Sequence, residues 1–362
     1  MLADRLKLAR KRAGLSLRDL AHRLDDQVSA QAIGKYERGE MMPSSPVLIA
    51  LSKTLGLPLG YFMSPMQAKL DGVEFRQKSG TTATDRARVE AEVLEHVERY
   101  LMIEEILGLD SASWNNPIPK RQRIDDPLAC EGLASTVRGR WELGTDPIPN
   151  MTQLLEQHGI KVLLLLLPER VDGLTCLVSR PQGEAVPCIV VNRHMTLERR
   201  RLTLAHELGH RFIDPESSVP SEKAANRFAG AFLMPADHLQ EEIGKHRHTL
   251  GYREIVQLKR IYRVSAASML LRFSHLGIIS QAALVHAFQT VAKEWRKMEP
   301  EPLEPPELRG QEETPSRFER LCYRALAEDL ISLPKAAELL QKPTSEIEVA
   351  LNGPGMNDAS CD

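Results

Sequence analysis

The sequence predicts a multidomain chain with an all-α head, then an α+β domain whose sheet precedes its helices, and last a small helical C-terminal unit. Three observations carry this reading. Apolar side chains recur at helical spacing through residues 2–62, with breaks at Gly14, near Val28, at Gly39 and Pro43, and at Gly56. Strand-like segments at 160–167, 174–179 and 187–191 give way to helical spacing from residue 196 onward. Two polar, proline-containing stretches, 110–128 and 298–315, separate these regions from one another and from the final helical segment. The expected layout is a head over 1–65, a helical connector and linker over 66–127, the α+β domain over 128–297, an acidic Pro-rich linker over 298–315 and a C-terminal unit over 316–362.

In the head, Leu6 to Ala13, Ser16 to Leu24 and Ser29 to Arg38 read as three short helices. Ser16 followed by Asp19 resembles a capping box, in which each side chain accepts from the other's backbone N–H. Residues 1–62 hold ten Lys or Arg against six Asp or Glu, whereas the whole chain has a formal charge of -2. That balance excludes a uniformly basic nucleic-acid coat and confines any DNA contact to the head. The third helix opens with Ser29, Ala30, Gln31 and Ala32, with Lys35 one turn on. These residues are short or amide-bearing, as suits a helix end that approaches base edges in the major groove of double-stranded DNA. Gln31 suits adenine, Lys35 suits phosphate, and the flanking Arg12 and Arg38 would add phosphate contacts.

Past a polar stretch around Gln77 to Thr84, the spacing of Val89, Val93, Val97, Tyr100 and Leu107 predicts one amphipathic connector helix ending at Gly108. Asn115-Asn116-Pro117, Pro119 and Pro127 then predict an exposed, irregular linker, with a new domain beginning near Leu128. In that domain helices are expected around 130–143 and 150–158, ahead of the three strands. Five prolines and six glutamates between Met298 and Pro315, with few apolar residues, predict a flexible acidic linker. Beyond it, Ser332 as a cap and Pro334 in the first turn predict a further helix.

Cys130, Cys176, Cys188, Cys322 and Cys361 are widely spaced and odd in number, which suggests neither a disulfide framework nor a thiolate metal site. That cysteine usage makes the cytosol the expected compartment, and the longest apolar run, Val162 to Leu167, falls far short of the roughly 20 residues needed to cross a bilayer, so no membrane partner is expected.

His206 and His210 are four residues apart, which on a helix brings both rings to one face and lets both reach one divalent metal. Glu207, beside the first of them, is placed to take a proton from water attacking a carbonyl and to pass it to a leaving amine. A catalytic zinc takes three protein ligands, so a third must come from elsewhere. Glu222 is the favoured candidate: it opens a helix that Ser221 would cap, and it shares a face with Ala225, Asn226 and Ala229, whose small alanines permit close packing. Asp214 and Glu216 are rivals in a Pro-containing loop that lacks a rigid mount.

The stretch Ile189-Val190-Val191-Asn192, then Arg201-Leu202-Thr203-Leu204-Ala205-His206-Glu207-Leu208-Gly209-His210, then Glu222, Ala225-Asn226, Phe228-Ala229 and Leu233-Met234-Pro235, resembles the ImmA/IrrE family of zinc metallopeptidases. The resemblance covers about residues 130–280. It implies a zincin-like fold and one Zn2+ per chain, with His206, His210 and Glu222 as ligands and Glu207 as catalytic base. Asp172-Gly173-Leu174 looks like the family's upstream strand, and Leu202 stands where the family often has Phe, a departure that leaves the metal site untouched. The head, through Leu6 to Arg10, Gly14-Leu15-Ser16, Leu20-Ala21, Ile33 to Gly39, Pro43 and Leu55 to Pro58, resembles the Xre or Cro/repressor helix-turn-helix family.

Weaker signals complete the reading. His158, His194, His246 and His248 have no ligand spacing to the motif, and His194 is kept as a candidate donor to a tetrahedral intermediate. Arg199-Arg200-Arg201 reads as a solvated helix face rather than a nucleic-acid patch. The tail Ile331 to Leu351 is similar to small helix-turn-helix units of antitoxin-like proteins and equally fits a packing element.

Two functional classes follow. In the first, a regulatory zinc endopeptidase binds operator DNA and cleaves a repressor-like protein; the family resemblance implies that it controls phage, mobile-element or stress genes. In the second, a non-proteolytic transcriptional regulator or antitoxin uses the metal domain as a sensor or toxin-binding surface. Self-cleavage in the exposed linkers is a third possibility. A homodimer is expected from the head.

Overall fold

The computed structural model describes residues 1–66, 68–77, 81–109, 113–168, 171–180, 184–295 and 297–353, so Cys361 lies outside the described residues. The chain divides into two compact units, one of residues 1–113, 176–187 and 316–362, the other of 114–175 and 188–315. The first unit opens with helices α1 (Leu2–Arg12), α2 (Leu17–Arg23), α3 (Ala30–Glu37), α4 (Ser45–Leu55) and α5 (Leu59–Met63), then strand β1 (Lys69–Gln77) and helix α6 (Ala83–Ile106). Next come α7 (Ala129–Arg140), α8 (Met151–Gln157), β2 (Lys161–Leu165), β3 (Val171–Ser179), β4 (Val186–Asn192) and α9 (Leu197–Phe212). They are followed by α10 (Ser221–Leu233), α11 (Ala236–Ile243), α12 (Tyr252–Tyr262), α13 (Ala266–His275) and α14 (Gln281–Gln289). Helices α15 (Arg317–Ala327), α16 (Leu333–Leu340) and α17 (Thr344–Asn352) return to the first unit.

Local chemistry fixes the head. The Ser16 hydroxyl accepts from the Asp19 N–H at 3.1 Å, and the Asp19 carboxylate accepts from the Ser16 N–H at 2.8 Å, closing the box at the start of α2. Ser29 caps α3 by accepting from the Ala32 N–H at 3.2 Å. Leu6, Leu20, Ile33, Leu51 and Phe62 are fully buried together. Arg10 donates to both carboxylate oxygens of Glu37 at 2.6 and 2.7 Å, which ties the far end of α3 to α1.

Helix α6 is longer than its sequence signal, because Thr82 and Asp85 form a capping box well before Val89. It packs on α1, where Arg5 and Arg12 pair with Glu98 and Glu95. Its last turns bury Tyr100 and Ile103 among Leu321, Cys322, Ala325, Ala336 and Leu339 of α15 and α16. Strand β1 was not expected. Its Lys-Leu-Asp-Gly-Val-Glu-Phe alternation is short and half exposed, so it carries little hydrophobic contrast, and its partner strand lies a hundred residues away in sequence.

The four-stranded sheet has the order β1-β3-β4-β2, with β2 parallel to β4 from Lys161 opposite Cys188 to Leu165 opposite Asn192. β4 is buried along its whole length, which accounts for its continuous Ile-Val-Val run. At Gly173 on β3 a Cβ would lie 2.5 Å from the Val190 carbonyl oxygen, so the close approach of β3 and β4 requires glycine there. Val162 of β2 and Ile189 of β4 share one core with Leu204, Leu208 and Phe212 of α9 and Phe228 and Phe232 of α10.

Two linker expectations are corrected by the structure. In the first, Ile118 and Ile124 are buried in the core of the second unit, and Gln122 exchanges backbone hydrogen bonds with Phe212 and Asp214 at 2.7 and 2.9 Å. That unit therefore begins at Trp114 rather than near Leu128. In the second, residues 298–315 are not a free acidic linker. The Glu304 carboxylate, with a side chain 0% exposed, accepts from Arg200 at 2.8 Å and from the backbone N–H groups of Gln311 and Glu312 at 2.9 Å. Glu313 pairs with Arg201, and Glu299 with Lys259 at 3.0 Å, where Lys259 also meets Glu198 at 2.9 Å. Composition predicts disorder because few apolar side chains are present; order comes from buried ion pairs with cations far earlier in the chain. For the same reason Arg199-Arg200-Arg201 is not a solvated face: Arg200 and Arg201 are buried, and only Arg199 is exposed, where it pairs with Asp172.

Candidate metal centre

Helix α9 starts at Thr196, whose hydroxyl accepts from the Arg199 N–H, and continues through the core to Phe212. α10 lies against it and comes close at Gly209, where a Cβ would fall 2.9 Å from Phe228 Cδ1 and 3.4 Å from Ala225 Cα. The glycine between the two histidines thus sets how near α10 comes. That approach brings Glu222, in the first turn of α10, onto the face of α9 that carries the imidazoles.

His206 Nε2 is 3.3 Å from Glu222 Oε2, His210 Nε2 is 3.4 Å from Glu222 Oε1, and the two Nε2 atoms are 2.9 Å apart. Tetrahedral ligands at zinc distances of about 2.0–2.1 Å are separated by roughly 3.3 Å, so this triangle has the size of a three-ligand zinc set. The donor chemistry points the same way. His206 Nδ1 lies 3.0 Å from Asn226 Oδ1, and the Asn226 amide nitrogen donates to the Glu222 carbonyl at 2.8 Å, which turns Oδ1 toward the ring. An amide oxygen only accepts, so Nδ1 carries the proton and Nε2 presents a lone pair. His210 Nδ1 is 3.1 Å from Ser221 Oγ, again directing Nε2 inward. Two nitrogen lone pairs and a carboxylate facing one point repel one another unless a cation lies among them, and a donor set of two imidazoles and one carboxylate suits zinc.

Glu207 is next along α9 and 3% exposed, on a helix whose position is fixed on both sides by packing. Glu222 is 71% exposed at its side chain and His206 is not exposed at all, so the site has a closed side and an open one. That arrangement lets a substrate carbonyl and a water approach.

Other sequence candidates fall elsewhere. His194 is exposed before the first turn of α9, and His206 lies nine residues beyond Leu197, about 14 Å along a helix. His194 is not a member of the group formed by His206, His210 and Glu222. His158 stacks on Trp141 at 4.0 Å, and burial lowers its pKa. His246 and His248 are exposed beyond α11. Asp214 and Glu216 form a turn in which Asp214 accepts from the Glu216 N–H, outside the metal-binding group. Ser221 does not cap α10, where Pro220 is the cap residue; its hydroxyl goes to His210 instead. The reading from sequence missed this contact and the Asn226 contact. The available signal was spacing, since Ser221, Glu222 and Asn226 all fall within the first two turns of one helix.

In the head, Ser29, Gln31, Lys35 and Arg38 are exposed and Ala30 and Ala32 half-buried, so the side of α3 away from Ile33 and Tyr36 is open. Arg38 shares its guanidinium with Glu40 at 2.6 Å, an exposed pair. The Arg12 guanidinium pairs with Glu95 of α6.

Comparison with known families matches residues 6–62 to a helix-turn-helix model and residues 155–274 to the IrrE N-terminal-like domain of a peptidase family. The searches of curated proteins and of solved structures gave no significant match. The two family matches together give the ImmA/IrrE architecture, an Xre-like DNA-binding helix-turn-helix ahead of a metallopeptidase-type domain. Among the described residues, no helix is long and apolar enough to cross a membrane.

Proposed function

We propose that this chain, an Xre-like helix-turn-helix joined to an IrrE-like peptidase domain, is a zinc-dependent endopeptidase that binds operator DNA and cleaves a repressor-like protein. The observation that carries the reading is the convergence of His206 Nε2 and His210 Nε2 of α9, the buried helix that also carries Glu207, with a carboxylate oxygen of Glu222 on α10. Zinc held there supplies Lewis-acid polarisation of a peptide carbonyl and of water. Glu207 accepts the proton of the attacking water as its oxygen bonds to the carbonyl carbon. It then returns that proton to the amide nitrogen, which leaves as an amine when the C–N bond breaks. His206, His210 and Glu222 would hold the cation, with the Glu222 side exposed to solvent. Ser29, Ala30, Gln31, Ala32, Lys35 and Arg38 would contact DNA, the first four at base edges and the last two at phosphates. A cytosolic setting and a homodimer on paired half-sites go with this reading.

The test is cleavage of repressor-like proteins encoded beside this chain, with zinc-loaded wild type, a chelator control and Glu207→Gln. We expect a discrete cut that the chelator and Glu207→Gln both abolish while zinc remains bound to the variant. Retention of the regulatory phenotype in cells carrying Glu207→Gln would instead support a non-proteolytic regulator.

A further inference from the structure

We infer that Asn226 and Ser221 are positioning residues for the metal ligands, so that α10 contributes one ligand, sets the proton position of His206 and holds the ring of His210. The inference rests on the zinc reading of the site. The orientation of Asn226 is fixed by a group that can only accept: its amide nitrogen donates to the Glu222 backbone carbonyl at 2.8 Å. The amide oxygen then faces His206 Nδ1 at 3.0 Å and requires a proton there. His206 is thereby held in the tautomer whose Nε2 lone pair faces Glu222 Oε2 at 3.3 Å. Ser221 Oγ lies 3.1 Å from His210 Nδ1, within hydrogen-bond reach of the second ring.

The two contacts differ in stringency. Asn226 has its orientation set by the backbone, whereas the Ser221 hydroxyl rotates and also accommodates the other tautomer of His210. Asn226 is therefore the stronger determinant. Because it is exposed, its replacement leaves the α9–α10 core intact.

The experiment measures zinc affinity by chelator competition and the visible d–d band of the Co2+ form, on the full chain, for wild type, Asn226→Ala, Asn226→Asp, Ser221→Ala and His206→Ala. Loss of an orienting partner weakens metal binding by about 10- to 100-fold. We expect a loss in this range for Asn226→Ala, a smaller one for Ser221→Ala, and recovery to within a few-fold of wild type for Asn226→Asp, which keeps an acceptor for Nδ1–H. The Co2+ band should shift in Asn226→Ala and not in Asn226→Asp. Wild-type affinity in Asn226→Ala, or equal losses in Asn226→Ala and Asn226→Asp, overturns the positioning role. His206→Ala separates this outcome from failure of the site itself: if it also binds zinc like wild type, the metal reading is wrong. Circular dichroism of the metal-free proteins identifies any variant that fails to fold, and the remaining substitutions then decide the matter.

Discussion

Arg200 Nη1 and Glu304 Oε2 meet at 2.8 Å with side chains 3% and 0% exposed, pinning the first turns of α9 to a segment 104 residues later. The same helix carries His206, Glu207 and His210 one to three turns further on, so the acidic segment is part of the frame that holds the site. Removing one partner of such a pair leaves a buried charge uncompensated.

Glu304→Ala should therefore lower the stability of the peptidase-domain transition by about 3–5 kcal/mol. The double replacement Arg200→Met with Glu304→Leu should recover much of that loss, because no charge then remains buried. Urea denaturation followed by tryptophan fluorescence reads both. A Glu304→Ala chain as stable as wild type would show that water reaches Arg200.

The same pair sets an acid limit. Burial alone would raise the Glu304 pKa, but hydrogen bonds from Arg200 and from the backbone N–H groups that Glu304 accepts, with the Arg200 charge, outweigh it and bring the pKa below its ordinary 4.5. A carboxylate with a depressed folded pKa contributes stability that is present above pH 4.5 and lost as pH falls through the folded value. Glu304→Gln should lessen the pH dependence of stability below pH 4.5, measured by denaturation at stepped pH.

His96 on α6 gives a second pH window. Burial, then the charges of Arg99 and Arg12, lower its pKa from 6.5 to about 3, and its Nδ1 accepts from Arg99 at 3.1 Å, which it can do only when unprotonated. Its contribution is present above pH 6.5 and lost as pH falls toward 3, with a slope approaching about 1.4 kcal/mol per pH unit. His96→Leu should flatten the stability profile of the first unit between pH 6.5 and 5, with an unchanged slope counting against the buried neutral state.

Gly209→Ala tests the spacing of α9 and α10. A methyl group 2.9 Å from Phe228 forces the helices apart or the ring to shift, costing about 1–3 kcal/mol. Metal content should fall with it, because Glu222 moves with α10. Thermal denaturation with elemental analysis shows whether both effects appear together.

For the head, Lys35→Ala should weaken operator binding evenly across sequences and reduce the salt slope by about one. Gln31→Ala should cost about 1–3 kcal/mol and relax the preference at one base pair. Fluorescence anisotropy at several salt concentrations separates the two, and equal effects on specific and random DNA for both variants would remove the base-reading role of Gln31.

Local signals in the sequence carried a great deal of this. The Ser16 and Asp19 cap, the helix breaks at Gly14, Gly39 and Gly56, and the four-residue spacing of the histidines depend on neighbours within a turn or two, and each is seen in the structure. The failures share a different cause. Taken alone, Arg200 and Arg201 have the pattern of a solvated run and residues 298–315 that of a disordered one; opposite charges that neutralise one another across the chain leave no mark in a local window. Ser221 looked like a cap because helix starts favour serine, yet its hydroxyl was claimed by a histidine on another helix. Strand β1 was missed because its pairing, not its composition, makes it a strand.

The burial of Tyr100 and Ile103 by α15 and α16 has a consequence for synthesis. The ribosome makes the connector helix early and its covering helices only after the entire peptidase segment, so at about 5–20 residues per second that apolar stripe waits many seconds for its partners. During that interval the nascent chain exposes a surface suited to chaperones. Truncations that stop before Arg317 would keep it exposed for good, and soluble expression should depend on whether those final helices are included.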